Sequence, residues 1–317
     1  MKIVLIFLFV FVLCVNGISL TIVPKEELRI GGDDYEEYFY PRAIDVDEKG
    51  NLYILDNKSF AIFKIDNRGK FIKRAGGKGE GPGEFPGTPM YISYSNGKLY
   101  ISLMYLPRVY IFTDELSFIK TIDLPCIARA IEVLNGDILI TTADFKTSFP
   151  VLDIKKDKKY IDSVTNPKMP TFFWEERKGF AIDPKTDDFI VVSMYEDKIE
   201  KWSVDNKLIW SKYLFTGQGI ILKKDSTAEI EMPDIKKSFF YRDMDIDSQG
   251  RIYILSGNTI AKQPGRNIYV LSKDGKLKTV FTLPYFTPFI KLGPSNKLYA
   301  RGGEDGEQII RYKLTIK

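Results

Sequence analysis

A polar turn running straight into a short β-rich segment recurs six times along the chain, and the copies superpose. They are Gly50-Asn51-Leu52-Tyr53-Ile54, Gly97-Lys98-Leu99-Tyr100-Ile101, Gly136-Asp137-Ile138-Leu139-Ile140, Asp187-Asp188-Phe189-Ile190-Val191, Gly250-Arg251-Ile252-Tyr253-Ile254 and Asn296-Lys297-Leu298-Tyr299-Ala300. The starts fall roughly every 40 to 60 residues, the spacing of repeat units that carry several strands each. One such unit cannot cover both faces of its own sheet. Units must therefore stack, and a closed ring leaves no open end.

Each unit follows one script. In the first, Ala43-Ile44-Asp45-Val46 leads through Asp47-Glu48-Lys49-Gly50 to Leu52-Tyr53-Ile54-Leu55, then to Ala61–Ile65, and across Asp66-Asn67-Arg68-Gly69 to Phe71–Arg74. β-Branched and aromatic runs separated by Asp, Asn and Gly are hairpin chemistry, and helical periodicity is missing from the rest of the chain. The expectation is an all-β fold of four-stranded antiparallel units. The last unit ends one strand short at Ile309–Leu314. Leu20-Thr21-Ile22-Val23 is free to supply that strand and close the ring.

Among 317 residues there is no histidine, which excludes His-based triads, His general bases and His-ligated zinc or haem. Of the two cysteines, Cys14 lies in the N-terminal apolar run and Cys126 stands alone, so no internal disulfide is expected after export. Met1-Lys2 followed by the apolar run Ile3 to Val15 and then Asn16-Gly17 has the form of an export signal. The expected division is a signal peptide at 1–17 and a single domain at 18–317, exported to a periplasmic, cell-envelope or extracellular location, with no later membrane span. A net charge of +4, with 46 basic against 42 acidic residues, gives no nucleic-acid footprint.

The stretch Asp47-Glu48-Lys49-Gly50-Asn51-Leu52-Tyr53-Ile54-Leu55-Asp56 resembles the core of an NHL-type repeat. The Gly-rich run from Gly76 to Phe85 resembles the connection to the next unit. Together they are similar to secreted bacterial six-bladed β-propeller proteins. The resemblance is close over about residues 40–125 and looser beyond; the third and fourth units lack the repeat tyrosine. It implies a six-bladed ring of four-stranded blades. It does not select a function, because that fold hosts sensors, binding modules, lyases and lactonases. The Gly-rich run itself is no phosphate loop: Pro82 removes a donor and a strand follows it.

In a propeller the first strand of each blade lines the central axis. Aligning the first strands places Arg42, Arg129 and Arg242 at one register, with Met90, Phe180 and Pro288 in the alternating units. Three residues later come Asp45, Glu132, Asp183 and Asp245, with Ser93 and Lys291 in the other two. Arginine forks bind carboxylates and phosphates in paired geometry, so a small anionic ligand at the axial mouth is one reading. Mutual neutralisation around a water-filled channel is a second. A Ca2+ ion on the carboxylate ring is a third. In a longer connection, Phe172-Phe173-Trp174 is a candidate surface for stacking on a sugar or peptide, or for docking a partner protein.

Three functions stay open. One is an exported non-enzymatic binding or interaction propeller that needs no cofactor, taking an unidentified protein or small anion. Another is a lactonase-like hydrolase or lyase using the axial carboxylates and a divalent cation. The last is a structural subunit of an envelope complex. No catalytic residue is assigned.

Overall fold

The computed structural model describes residues 20–33, 35–37, 39–124, 127–128, 131–134, 138–141, 151–153, 160–161, 178–193, 197–203, 207–214, 240–257, 265–303 and 306–317. Residues 1–17 lie outside them, as do Cys126, Arg129 and the Phe172-Phe173-Trp174 triplet.

The strands pair into six four-stranded antiparallel sheets. The first holds β2 (Pro41–Val46), β3 (Leu52–Asp56), β4 (Ala61–Ile65) and β5 (Phe71–Gly76), and the second holds β6 (Pro89–Ser95), β7 (Lys98–Leu103), β8 (Leu106–Thr113) and β9 (Phe118–Asp123). The third has β10 (Ile131–Leu134), β11 (Ile138–Thr141), β12 (Val151–Asp153) and β13 (Tyr160–Ile161). The fourth has β14 (Lys178–Ile182), β15 (Phe189–Ser193), β16 (Ile199–Trp202) and β17 (Leu208–Lys212), and the fifth β18 (Tyr241–Ile246), β19 (Ile252–Ser256), β20 (Asn267–Leu271) and β21 (Leu277–Thr282). The remaining sheet is β1 (Ile22–Ile30), β24 (Gln308–Ile316), β23 (Lys297–Gly302) and β22 (Ile290–Gly293).

The innermost strand of every sheet touches the innermost strand of the next: β2 to β6, β6 to β10, β10 to β14, β14 to β18, β18 to β22, and β22 back to β2. Sheets packed in this cyclic order are the blades of a β-propeller. The inner strands all begin on one face of the ring, called here the top face.

The core lies between blades. Tyr53, Leu55 and Ile62 of the first sheet pack on Phe85, Ile92, Leu99 and Ile101 on the side of the second. Ile44, Ile54 and Phe63 pack on Tyr299, Ile309 and Ile30 of the sheet that joins the two ends of the chain. Strands β3 and β4 are therefore buried at every position, whereas the outer β5 is largely exposed. Continuous apolar runs, rather than alternation, follow from a sheet covered on both faces. Each fully buried Ile or Leu contributes roughly 1.5–3 kcal/mol.

The recurring turn has a local cause. Asp47 Oδ1 accepts from the Lys49 and Asn51 amides, and Asp247 Oδ1 repeats this with Gln249 and Arg251. Gly50 and Gly250 then take left-handed φ of 84° and 80°, where a side chain would strain the backbone. Asp187 (60°) and Asn296 (56°) hold the corresponding turns, because short polar side chains tolerate that region. The repeat tyrosine sits behind the turn: Tyr53 and Tyr253 are buried and donate their hydroxyls to Asp47 Oδ2 at 3.2 Å and Asp247 Oδ2 at 3.3 Å.

Ring closure uses the N-terminus, with a strand longer than Leu20–Val23 and shifted toward the C-terminus. β1 pairs with β24 from Ile22 opposite Ile316 to Ile30 opposite Ile309, with an irregularity between Glu26 and Leu28. Ile22 and Ile30 are buried at its two ends. Deleting residues 20–30 should strip the cover from β24 and lower the thermal midpoint by at least about 10 °C, the equivalent of several kcal/mol for a chain of this size. Differential scanning fluorimetry of the truncated and parent chains measures it. An unchanged midpoint would show that β1 is only a tether.

Candidate functional site

An inner strand has one edge with no partner strand, so its outward amides need acceptors. Acidic side chains of the preceding blade supply them. Asp45 Oδ2 on β2 accepts from the Tyr94 amide of β6 at 2.6 Å, while its Oδ1 accepts from Val46 at 2.7 Å. Asp245 on β18 does the same toward β22, with Oδ2 accepting from Leu292 at 2.6 Å and Oδ1 from Ile246 at 2.9 Å. Asp243, two residues earlier, accepts from the Ile290 amide at 2.8 Å. These carboxylates stitch neighbouring blades together.

At the centre stands Lys291 of β22. Its Nζ lies 3.2 Å from Asp45 Oδ1, 3.8 Å from Glu132 Oε1 and 3.9 Å from Asp245 Oδ2. One ammonium thus bridges carboxylates from three other blades. Ser93, fully buried on β6, donates to Glu132 Oε2 at 3.2 Å.

Cross-strand pairing identifies which residues share this layer. Asp45 opposes Tyr53, Ser93 opposes Tyr100, Glu132 opposes Ile140, Asp245 opposes Tyr253 and Lys291 opposes Tyr299. In the fourth sheet the equivalent residue is Ala181, opposite Ile190, so Asp183 does not belong to the axial group. The expected register there slips by two residues, and Phe180 falls with it. The cause is the turn. The first and fifth sheets carry two aspartates, one axial and one in the turn, whereas the fourth carries only the turn residue. Asp183 Oδ1 accepts from the Lys185 amide just as Asp47 accepts from Lys49. Its Oδ2 pairs with buried Lys201 at 2.9 Å, and Lys201 also reaches Asp188 at 3.1 Å.

Arg42 and Arg242 occupy the same irregular position in their strands, between the pairs Pro41/Ala43 and Tyr241/Asp243, and both are half-buried at the top face. Arg242 lies over the Phe286 ring with its guanidinium carbon 4.9 Å from the centroid. Beside Arg42 in sequence, the Tyr40 ring is flanked by Lys58 at 3.8 Å and Arg301 at 4.2 Å. The top mouth is thus cationic with exposed aromatic surface, above a layer of carboxylates held by one lysine.

Burial at the axis shifts the protonation of Glu132, Asp243 and Asp245. Burial, reinforced by Asp45 and Asp245 and opposed by Lys291, pushes Glu132 up to about 7. Burial likewise raises Asp243 to about 7 and raises Asp245. Burial acts to lower the pKa of Lys291, but Asp245, Asp45 and Glu132 outweigh it and hold the ammonium charged well above its ordinary range. Among the described residues no group of His, Cys, Asp or Glu is arranged to hold a metal ion; the Lys291 ammonium fills the centre of the carboxylate layer. The signal that could have pointed to Lys291 is its place in the layer: it is the single cation among axial positions that are otherwise acidic, polar or Ala.

The fold and axis define a β-propeller with four-stranded antiparallel blades. No protein-family model matches the chain, and no curated protein matches it. Among solved structures it is similar to a member of the DUF4221 family from Bacteroides vulgatus, with a TM-score of 0.70 and 12% identity over 94% of this chain and 99% of that one. A Bacteroides fragilis protein provisionally named as exported gives a TM-score of 0.61 at 12% identity, covering 94% of this chain and 96% of that one. Virginiamycin B lyase from Staphylococcus aureus gives 0.57 at 12% identity, covering 93% and 100%. These likenesses establish the fold alone. Among the described residues no helix is long and apolar enough to cross a membrane.

The sign of the pH dependence follows from the raised carboxyls. Glu132 moves from an ordinary 4.5 to about 7 on folding, and Asp243 from 3.8 to about 7. The folded chain therefore binds protons more tightly, and stability should rise as pH falls from about 7 toward 4.5. Urea unfolding across this window should show a gain of about 1–3 kcal/mol, and Glu132→Gln should remove part of it. A parent chain that loses stability over the same window would contradict the axial arrangement. Lys291→Met should cost about 3–5 kcal/mol at neutral pH, because it strands buried carboxylates without their counter-ion.

Proposed function

We propose that the chain is an exported, non-enzymatic binding propeller with NHL-like repeats and six blades, which takes a small anionic ligand at the top mouth of its axis. The observation that carries this reading is the stack of fixed cations along the axis. Arg42 and Arg242 share one register at the mouth, and Lys291 is held charged beneath them. Arg129 belongs to the same register in the sequence and joins the proposed mouth on that ground. Partly desolvated guanidinium forks and an ammonium attract and orient carboxylate or phosphate groups. The aspartates of the layer are engaged with backbone amides, which leaves Asp45 and Asp245 poorly placed as general bases. Export fits the apolar N-terminal run that ends at Gly17 and the provisionally exported structural neighbour.

The hydrolase or lyase reading draws on one observation, a Glu132 carboxyl poised near neutrality, together with the lyase among the structural neighbours. It requires turnover, with Ca2+ as the divalent ion to screen first. The Phe172-Phe173-Trp174 surface is retained as a proposed contact for a partner protein.

Thermal-shift and calorimetric titration with a panel of small carboxylates and phosphates tests the binding reading. Arg42→Ala or Arg242→Ala should weaken the best anion by roughly 1.5–3 kcal/mol, the scale of a charge-assisted hydrogen bond. Lys70→Ala, in an exposed turn on the opposite face, should leave affinity unchanged. Equal binding by the arginine variants and the parent would remove the axial mouth as the site. Ca2+-dependent turnover of a lactone would replace binding with catalysis.

A further inference from the structure

The axial carboxylates are not equivalent. Asp45 and Asp245 are each locked by two backbone amides, and their side chains are 5% and 9% exposed. Glu132 is longer and 23% exposed. Among the described residues it is held by the Ser93 hydroxyl at 3.2 Å and by the Lys291 ammonium at 3.8 Å, a long contact beside the 3.2 Å between Lys291 and Asp45. A hydroxyl and an ammonium converging on one carboxylate make a carboxylate receptor, and the carboxylate in it is tethered by a flexible side chain.

We propose that the Glu132 side chain is a displaceable stand-in for the ligand: it fills a carboxylate subsite formed by Ser93 Oγ and Lys291 Nζ, and a small carboxylic acid anion binds there when Glu132 is neutralised or swings away. The inference rests on the axial-anion reading above and assigns its inner subsite. An entering carboxylate takes over the charge that Glu132 presents to Lys291, so the ammonium keeps an anionic partner throughout. Arg42 and Arg242 at the mouth draw the anion in, and Asp45 stays on Lys291 to fix its position.

Occupancy is then coupled to protonation. Among the described residues, the groups facing Glu132 are Lys291 on β22, Ser93 on β6, Asp45 on β2 and Asp245 on β18, with Asp243 on β18 bonded to the backbone of β22 beside Lys291. Lys291 stays charged across the physiological range, and Asp45 and Asp245 keep their amide partners. Glu132 and Asp243 are both pushed up to about 7, but Asp243 is held by the Ile290 amide, whereas Glu132 is held by a hydroxyl and a long ammonium contact. A protonated Glu132 no longer repels an incoming anion, so carboxylate binding should strengthen on acidification.

Acetate is the probe, compared with chloride at equal ionic strength. Truncation in Glu132→Ala empties the subsite, so acetate should stabilise this variant at about pH 8 and bind at least about tenfold more tightly than to the parent, since one like charge within a few ångströms has been removed. The parent should respond to acetate at about pH 6 and far less at about pH 8. Lys291→Met combined with Glu132→Ala should abolish the response. If the alanine variant does not fold, Glu132→Gln in an Asp243→Asn background decides the matter: with both raised carboxyls replaced by neutral amides, acetate affinity should be the same at about pH 6 and pH 8, whereas Asp243→Asn alone should keep the pH dependence. A pH dependence that survives in the Glu132→Gln, Asp243→Asn double variant, or an alanine variant indifferent to acetate, overturns the proposal. If the parent then still binds an anion through Arg42, only the inner subsite is wrong. If that binding is lost as well, the axial reading fails with it.

Discussion

The inner strands leave one edge of every sheet without a partner strand, and the way that edge is satisfied governs the centre of the molecule. An apolar side chain there would leave amides buried and unbonded, at a cost of about 1–3 kcal/mol each. Asp45, Asp243 and Asp245 instead reach across to the amides of Tyr94, Ile290 and Leu292 on the next inner strand. The solution brings its own difficulty, because it gathers negative charge on the axis. Lys291 answers it, standing within 4 Å of Asp45, Glu132 and Asp245. Blade-to-blade stitching, the central ion cluster and the raised carboxyls are consequences of the same edge.

Function follows from what this arrangement leaves available. The aspartates that carry structure are immobilised by amides, and Lys291 is fixed among three carboxylates, which leaves Glu132 as the axial carboxylate with the loosest hold. A half-buried cation held charged by its neighbours is a poor base. The Gly-rich and polar turns on the outside hold the ring that positions the axis.

Much of the fold was legible because the turns are chemically explicit. Gly50, Gly250 and Asn296 mark left-handed positions, and the tyrosine behind each turn needs a polar partner such as Asp47 or Asp247. The closing strand was visible only in part. The exposed, charged middle of β1, Lys25 to Glu27, reads as a loop, yet the chain pairs with β24 through it. The axial layer was legible where two aspartates flank the turn and illegible where one does. Ile182-Asp183 imitates Ile44-Asp45 in sequence, but a turn one residue longer makes Asp183 the turn residue and puts Ala181 on the axis. Lys291 looked like an exception in a row of acids, because its partners come from three blades distant in sequence and no local pattern announces them.

Carboxyl carbon NMR of the chain labelled at Asp and Glu side chains tests the central claim most directly. Two signals, assigned to Glu132 and Asp243 by their disappearance in the Gln and Asn variants, should titrate with midpoints near 7. In Lys291→Met the Glu132 midpoint should move higher still, since the nearest positive charge is gone. Midpoints below 5 for both groups, or a Glu132 signal indifferent to the loss of Lys291, would contradict a buried carboxylate cluster organised around that lysine.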